Sequence, residues 1–110
     1  MSDHSAEKLF ERRWAIALLD HALGRLREEC AAADKGILFE KLKPFIPEEP
    51  DAGEYAQVAN KLGCTRSAIA VAVHRLRQRY RELVREEVAR TVAKPDEVEG
   101  ELRALLAALR

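Results

Sequence analysis

The chain has 110 residues, of which 47% are hydrophobic, 35% charged and only 5% aromatic, and its 19 basic and 19 acidic side chains cancel. That length suits one compact domain with one modest core, so residues 1–110 are read as a single domain. Five Gly and four Pro are too few for a turn-rich β fold, and abundant Ala, Leu, Glu and Arg favour helix, so an all-α fold is expected. No apolar run approaches the roughly 18–20 residues that a membrane span requires, and the polar N-terminus lacks the pattern of a signal peptide. The expectation is a cytoplasmic protein with no membrane partner. Cys30 and Cys64 stand far apart without metal-ligand spacing. Neither a disulfide, a metal nor another cofactor is expected, and both cysteines are read as small core residues.

In chain order, residues 1–43 are read as N-terminal helices. From Ser5 to about Ala33 only Gly24 interrupts, and Ile16, Leu19, Leu23, Leu26 and Cys30 recur at spacings of three and four. This predicts a long amphipathic helix with that stripe inward. Phe10, Trp14 and Ala17 form an adjoining stripe, which widens the apolar face, and both aromatics are expected in the core. Ser2 or Ser5 is placed to cap the helix start. Gly36 is expected to take the left-handed conformation that stops the helix, and Ile37, Leu38, Phe39 and Leu42 then predict a short second helix. Residues 44–53, with three prolines and several acidic residues, read as a surface loop.

Tyr55, Val58, Ala59 and Leu62 predict a helix of about two turns that stops at Gly63. Thr65 is a natural N-cap for a helix from Arg66 to about Val92, whose inward positions are Ile69, Val73, Leu76, Tyr80 and Leu83. Pro95 breaks the pattern. A last helix over 95–110 carries Val98, Leu102, Leu105 and Leu109, with Asp96 and Glu97 in its first turn.

Charge is uneven along this plan. Residues 66–90 hold seven basic and three acidic side chains, all seven being arginines, with His74 among them. Two helices joined by a three-residue, Gly-centred turn over residues 54–92 fit a helix-turn-helix layout as well as a plain helical hairpin, and in the former Ala59 permits a close crossing and Ile69 and Val58 fill the space between the helices. With Ile69, Val73, Leu76 and Tyr80 inward, Ser67, Ala70, Val71, His74, Arg77, Gln78 and Arg81 point outward. Together with Arg66 and Arg75 they are the candidate DNA-contacting residues. The arginines suit phosphates, Ser67, His74 and Gln78 can also reach a base edge, and Ala70 and Val71 suit either a thymine methyl or a protein contact.

The stretch from Tyr55 to Arg81 resembles the C-terminal, region-4-type domain of bacterial extracytoplasmic-function (ECF) sigma factors. The matching positions are Leu62-Gly63, Thr65, Ile69 and His74-Arg75-Leu76-Arg77. The continuation from Tyr80, Pro95-Asp-Glu-Val and the Phe10-xxx-Trp14 start resemble one sigma-like subgroup. The resemblance implies a small helical bundle with a C-terminal helix-turn-helix, winged-helix-like or of the sigma region 4 type, and flanking helices. It also implies binding to the upstream (−35) element of promoter DNA, docking on the β flap of core RNA polymerase, and control by an anti-sigma or other regulatory protein. Two departures stand out. Ala68, Ala70, Val71 and Ala72 occupy positions that are usually polar or basic in the family, and the family's polymerase-binding N-terminal domain has no counterpart here. The alanine-rich helix face and the neutral overall charge favour, as the alternative, a sigma-derived protein-interaction or regulatory module with little sequence-specific DNA binding. No enzyme activity is expected, because His4, His21 and His74 fall in different elements and no phosphate-binding Gly-rich loop occurs. His21 is read as a partly buried structural histidine.

Overall fold

A computed structural model describes residues 3–109, and among them every regular element is helical, with no strand. The helices are α1 (Asp3–Ala32), α2 (Gly36–Leu42), α3 (Ala52–Leu62), α4 (Arg66–Ala89) and α5 (Val98–Ala108). Tight 3-10 turns at Lys43–Phe45 and Pro95–Glu97 each begin at or next to a proline, whose fixed φ and missing N–H suit a helix start. The all-α expectation is met. α4 is shorter than expected, since the chain leaves it at Ala89, and Asp96 and Glu97 lie in the turn before α5 rather than inside it.

Helix ends are set by hydrogen bonding that composition only partly foretells. α1 closes in a Schellman arrangement: the Asp34 N–H donates to the Ala31 carbonyl at 3.1 Å and the Lys35 N–H to the Cys30 carbonyl at 2.7 Å. The left-handed residue is therefore Asp34, at φ 63°, and not Gly36, which already opens α2. The register of those two bonds decides the position, and a short acidic side chain tolerates it. Ser5 lies within α1 and does not cap it, while Ser2 lies outside the described residues. α3 begins with a reciprocal capping box that the loop reading missed. The Asp51 carboxylate accepts from the Glu54 N–H at 2.8 Å, and the Glu54 carboxylate accepts from the Asp51 N–H at 3.2 Å.

Two compact units divide the chain, one containing α1 up to Arg25 and the residues from Glu82 onward, the other Leu26–Arg81. In the Leu26–Arg81 unit, Leu42 from α2, Ala59 from α3, and Ile69 and Val73 from α4 form a buried cluster, with Leu38, Phe45, Tyr55, Val58, Leu62, Ala72 and Leu76 packed against it. Phe39 is also buried, and the Arg27 guanidinium lies over its ring, 5.7 Å from the centroid.

In the other unit, α1 buries Ala15, Leu18 and Ala22, α4 buries Leu83, Val84 and Val88, and α5 buries Leu105. The inward face of α1 differs from the expected one. Ala15, Leu18 and Ala22 each precede by one residue the expected Ile16, Leu19 and Leu23, a rotation of about 100°. Leu26 and Cys30 are buried as expected, whereas Leu19, Leu23 and Trp14 are half-buried and Phe10 is 74% exposed. Apolar residues surround most of α1, so spacing alone does not choose a face. Small alanines inside permit close helix approach, and ion pairs to α4 hold the rotation.

Candidate nucleic-acid interface

The candidate surface begins at the junction of α3 and α4, where local bonding leaves little freedom. Gly63 takes the left-handed conformation at φ 68°. Its N–H donates to the Asn60 carbonyl at 3.4 Å and the Cys64 N–H donates to the Ala59 carbonyl at 3.0 Å, completing a Schellman close. A side chain at position 63 would be strained whatever the space around it. Thr65 Oγ1 then accepts from the Ala68 N–H at 3.0 Å and caps α4, as its sequence position predicted. Cys64 is exposed, not a core residue, because it sits in the turn where only its backbone is engaged.

From this fixed start, burial of Ile69 and Val73 turns one face of α4 to solvent. Ser67, Val71, His74, Gln78 and Arg81 are exposed along it at spacings of four, three, four and three, and Arg66 and Arg75 are exposed beside it. Val71 is 48% exposed, and Ala70 is half-buried beside a shallow groove formed with Ala52, Tyr55, Arg66 and Ser67. Tyr55 and Ala52 are additions to the site that the one-helix reading did not include. Burial raises the Tyr55 phenol above its ordinary range, with the nearby Glu49 charge adding to the effect, so the ring stays neutral.

Arg77 departs from the expected outward pose. It is half-buried, and one guanidinium nitrogen donates to the carbonyls of Phe45 at 3.2 Å and Ile46 at 2.9 Å. Its Cα lies at the edge of the apolar face, one position after Leu76, so the long side chain reaches back across that edge and satisfies the end of the 3-10 turn. Other arginines of the basic run are engaged too. Arg79 makes a two-pronged pair with Glu29 at 2.8 and 2.7 Å, Arg85 pairs with Glu99, and Arg90 pairs with Glu87 at 3.2 Å. Four of the seven arginines thus have internal partners. Arg66, Arg75 and Arg81 remain exposed without an ion pair among the described residues.

Sequence reasoning missed a second polar cluster, in the other compact unit. Glu87, only 9% exposed, accepts from His21 Nδ1 at 2.6 Å and from Arg25 at 2.7 Å, while Arg25 also pairs with Glu86 at 2.7 Å. Burial pushes the Glu87 carboxyl up. The hydrogen bonds from Arg25 and His21 and the Arg90 charge outweigh it and hold the group below the usual carboxylate range. His21 is an exposed partner of a buried acid rather than a partly buried residue. Separations of 66 and 62 residues leave no local signal for these contacts.

Among the described residues no group of His, Cys, Asp and Glu is arranged to hold a metal ion, and no helix is long and apolar enough to cross a membrane. No protein-family model, curated protein or solved structure matches the chain.

Proposed function

We propose that the chain is a non-catalytic DNA-binding module of transcription initiation, with α3, the Gly63 turn and α4 acting as a helix-turn-helix of the ECF sigma region 4 type. The carrying observation is the doubly capped α3–α4 junction followed by one exposed face bearing Ser67, Val71, His74, Gln78 and Arg81. A rigid junction orients a helix for a groove, and cations flanking that face suit phosphates. With no strand among the described residues, the reading carries no β-wing. In this reading the ligand is an upstream promoter element, and core RNA polymerase and a regulatory protein are further partners.

The arginines divide by role. Arg66, Arg75 and Arg81 contact phosphate, while Arg77 organises the fold that presents them. Three cations and His74 make a modest electrostatic footprint, so binding is weak and salt-dependent, and discrimination falls below the roughly 1–3 kcal/mol per base of a bidentate reader. Titration of labelled duplexes over a salt series tests this. Arg81→Ala is expected to reduce the slope of log K against log salt by about 1. Tight binding that ignores salt would contradict the reading.

Exposed Val71, adjoining Ala70, supports the second reading, a protein-interaction module derived from such a domain. Val71→Lys separates the two. Under the second reading it abolishes partner binding and strengthens DNA association, and under the first it changes which sequences are preferred.

A further inference from the structure

α1 carries a second apolar stripe that its own fold does not bury. Leu9 is 52% and Ile16 43% exposed, although Ile16 belongs to the stripe expected inside. Leu9, Arg13, Ile16, Asp20 and Leu23 follow one another at spacings of four, three, four and three, the seam by which one helix packs along another. At 100° per residue they occupy an arc of about 80°, roughly 150° round the helix from Ala15, Leu18 and Ala22. Leu23 is half-buried, and Arg13 and Asp20 are exposed without an ion pair among the described residues.

We propose that this stripe is a self-association surface on which a second copy of the chain lays its own α1 antiparallel. The order along the stripe is apolar, cation, apolar, anion, apolar, which is its own complement when reversed. With the two-fold axis beside Ile16, that side chain meets the partner's Ile16, Leu9 lies near the partner's Leu23, and Arg13 faces the partner's Asp20, twice by symmetry. Parallel pairing would set Arg13 against the partner's Arg13 and Asp20 against the partner's Asp20, so repulsion selects the antiparallel register. The seam runs only about 21 Å along the helix. It is smaller than a standard stable interface, so the dimer is weak and concentration-dependent.

Sedimentation equilibrium of the full chain under reducing conditions, across a concentration series, tests the proposal. The unaltered chain is expected to pass from monomer to dimer as concentration rises. Asp20→Arg and Arg13→Asp, each alone, are expected to weaken the dimer at least about tenfold, since attractive pairs become repulsive ones. An equimolar mixture of the two variants restores association as a heterodimer, because each arginine then faces an aspartate, and that recovery requires both variants to be folded. Replacing Ile16 by Gln weakens the dimer without a charge change. A monomer at every concentration, a dimer indifferent to these substitutions, or a mixture that fails to recover would overturn the proposal.

Discussion

The two compact units bury different kinds of groups. At the centre of Leu26–Arg81 lie Leu42, Ala59, Ile69 and Val73, and its ion pairs, Arg27–Glu40, Lys43–Glu40 and Arg79–Glu29, sit at the surface. The unit containing Glu82 onward buries a carboxylate as well as aliphatic side chains, and Glu87 is tied to His21, Arg25 and Arg90. An apolar cluster tolerates any pH but not a charge inside it. A buried acid tolerates its neighbours only while they neutralise it. The same helices α1 and α4 run through both units, so the chemistry changes along a helix and not only between helices.

The hardest blow to this contrast is Ile69→Asp. It places an unpaired charge in the apolar cluster and is expected to cost on the order of 3 kcal/mol or more. Chemical denaturation measures the loss, and an unchanged midpoint would mean that α3 and α4 do not pack around Ile69.

Glu87→Ala attacks the other unit. Losing charge-assisted hydrogen bonds from two partners is expected to cost about 1.5–3 kcal/mol. Hydrogen exchange should quicken at Ala22 and Val88 more than at Ile69 and Val73. The pH dependence follows from the same group. Because the folded Glu87 carboxyl titrates below its unfolded value of about 4.3, its stabilisation is complete above that pH and disappears as pH falls through the lower folded value. Glu40 is also held low, chiefly by Lys43 and also by Arg27, but it is exposed and its pairs are screened by salt. Acid should therefore loosen α1 and α4 around Glu87 first, and Glu87→Gln should flatten that response.

Smaller effects sharpen the division among the arginines. Arg77→Ala removes two hydrogen bonds to backbone carbonyls and is expected to cost about 1–2 kcal/mol in thermal or chemical denaturation. Arg81→Ala should leave stability within about 0.5 kcal/mol, because it is an exposed surface change, and act only on DNA binding. Equal stability losses from the two would erase the distinction between a scaffold arginine and a phosphate-contacting one.

What sequence by itself determined was local. Helix content, the turn at Gly63, the Thr65 cap and the inward positions Ile69, Val73 and Leu105 all follow from propensity, capping and spacing within a few residues. Burial of Leu76 and Tyr80 followed only in part, since both are half-exposed. Tertiary structure decided what local pattern left degenerate. The apolar residues of α1 are spread round the helix among its charges and allowed several inward faces, and the small Ala15 and Ala22, with the distant partners Glu86 and Glu87, selected one of them. The seven arginines of residues 66–90 read as one basic run, because charge along a sequence carries no record of partners. Folding brought Glu29, Glu99, Glu87 and the Phe45 and Ile46 carbonyls to four of them and left Arg66, Arg75 and Arg81 to the surface. Long side chains reach groups far away in the chain, and only the packing of helices specifies which.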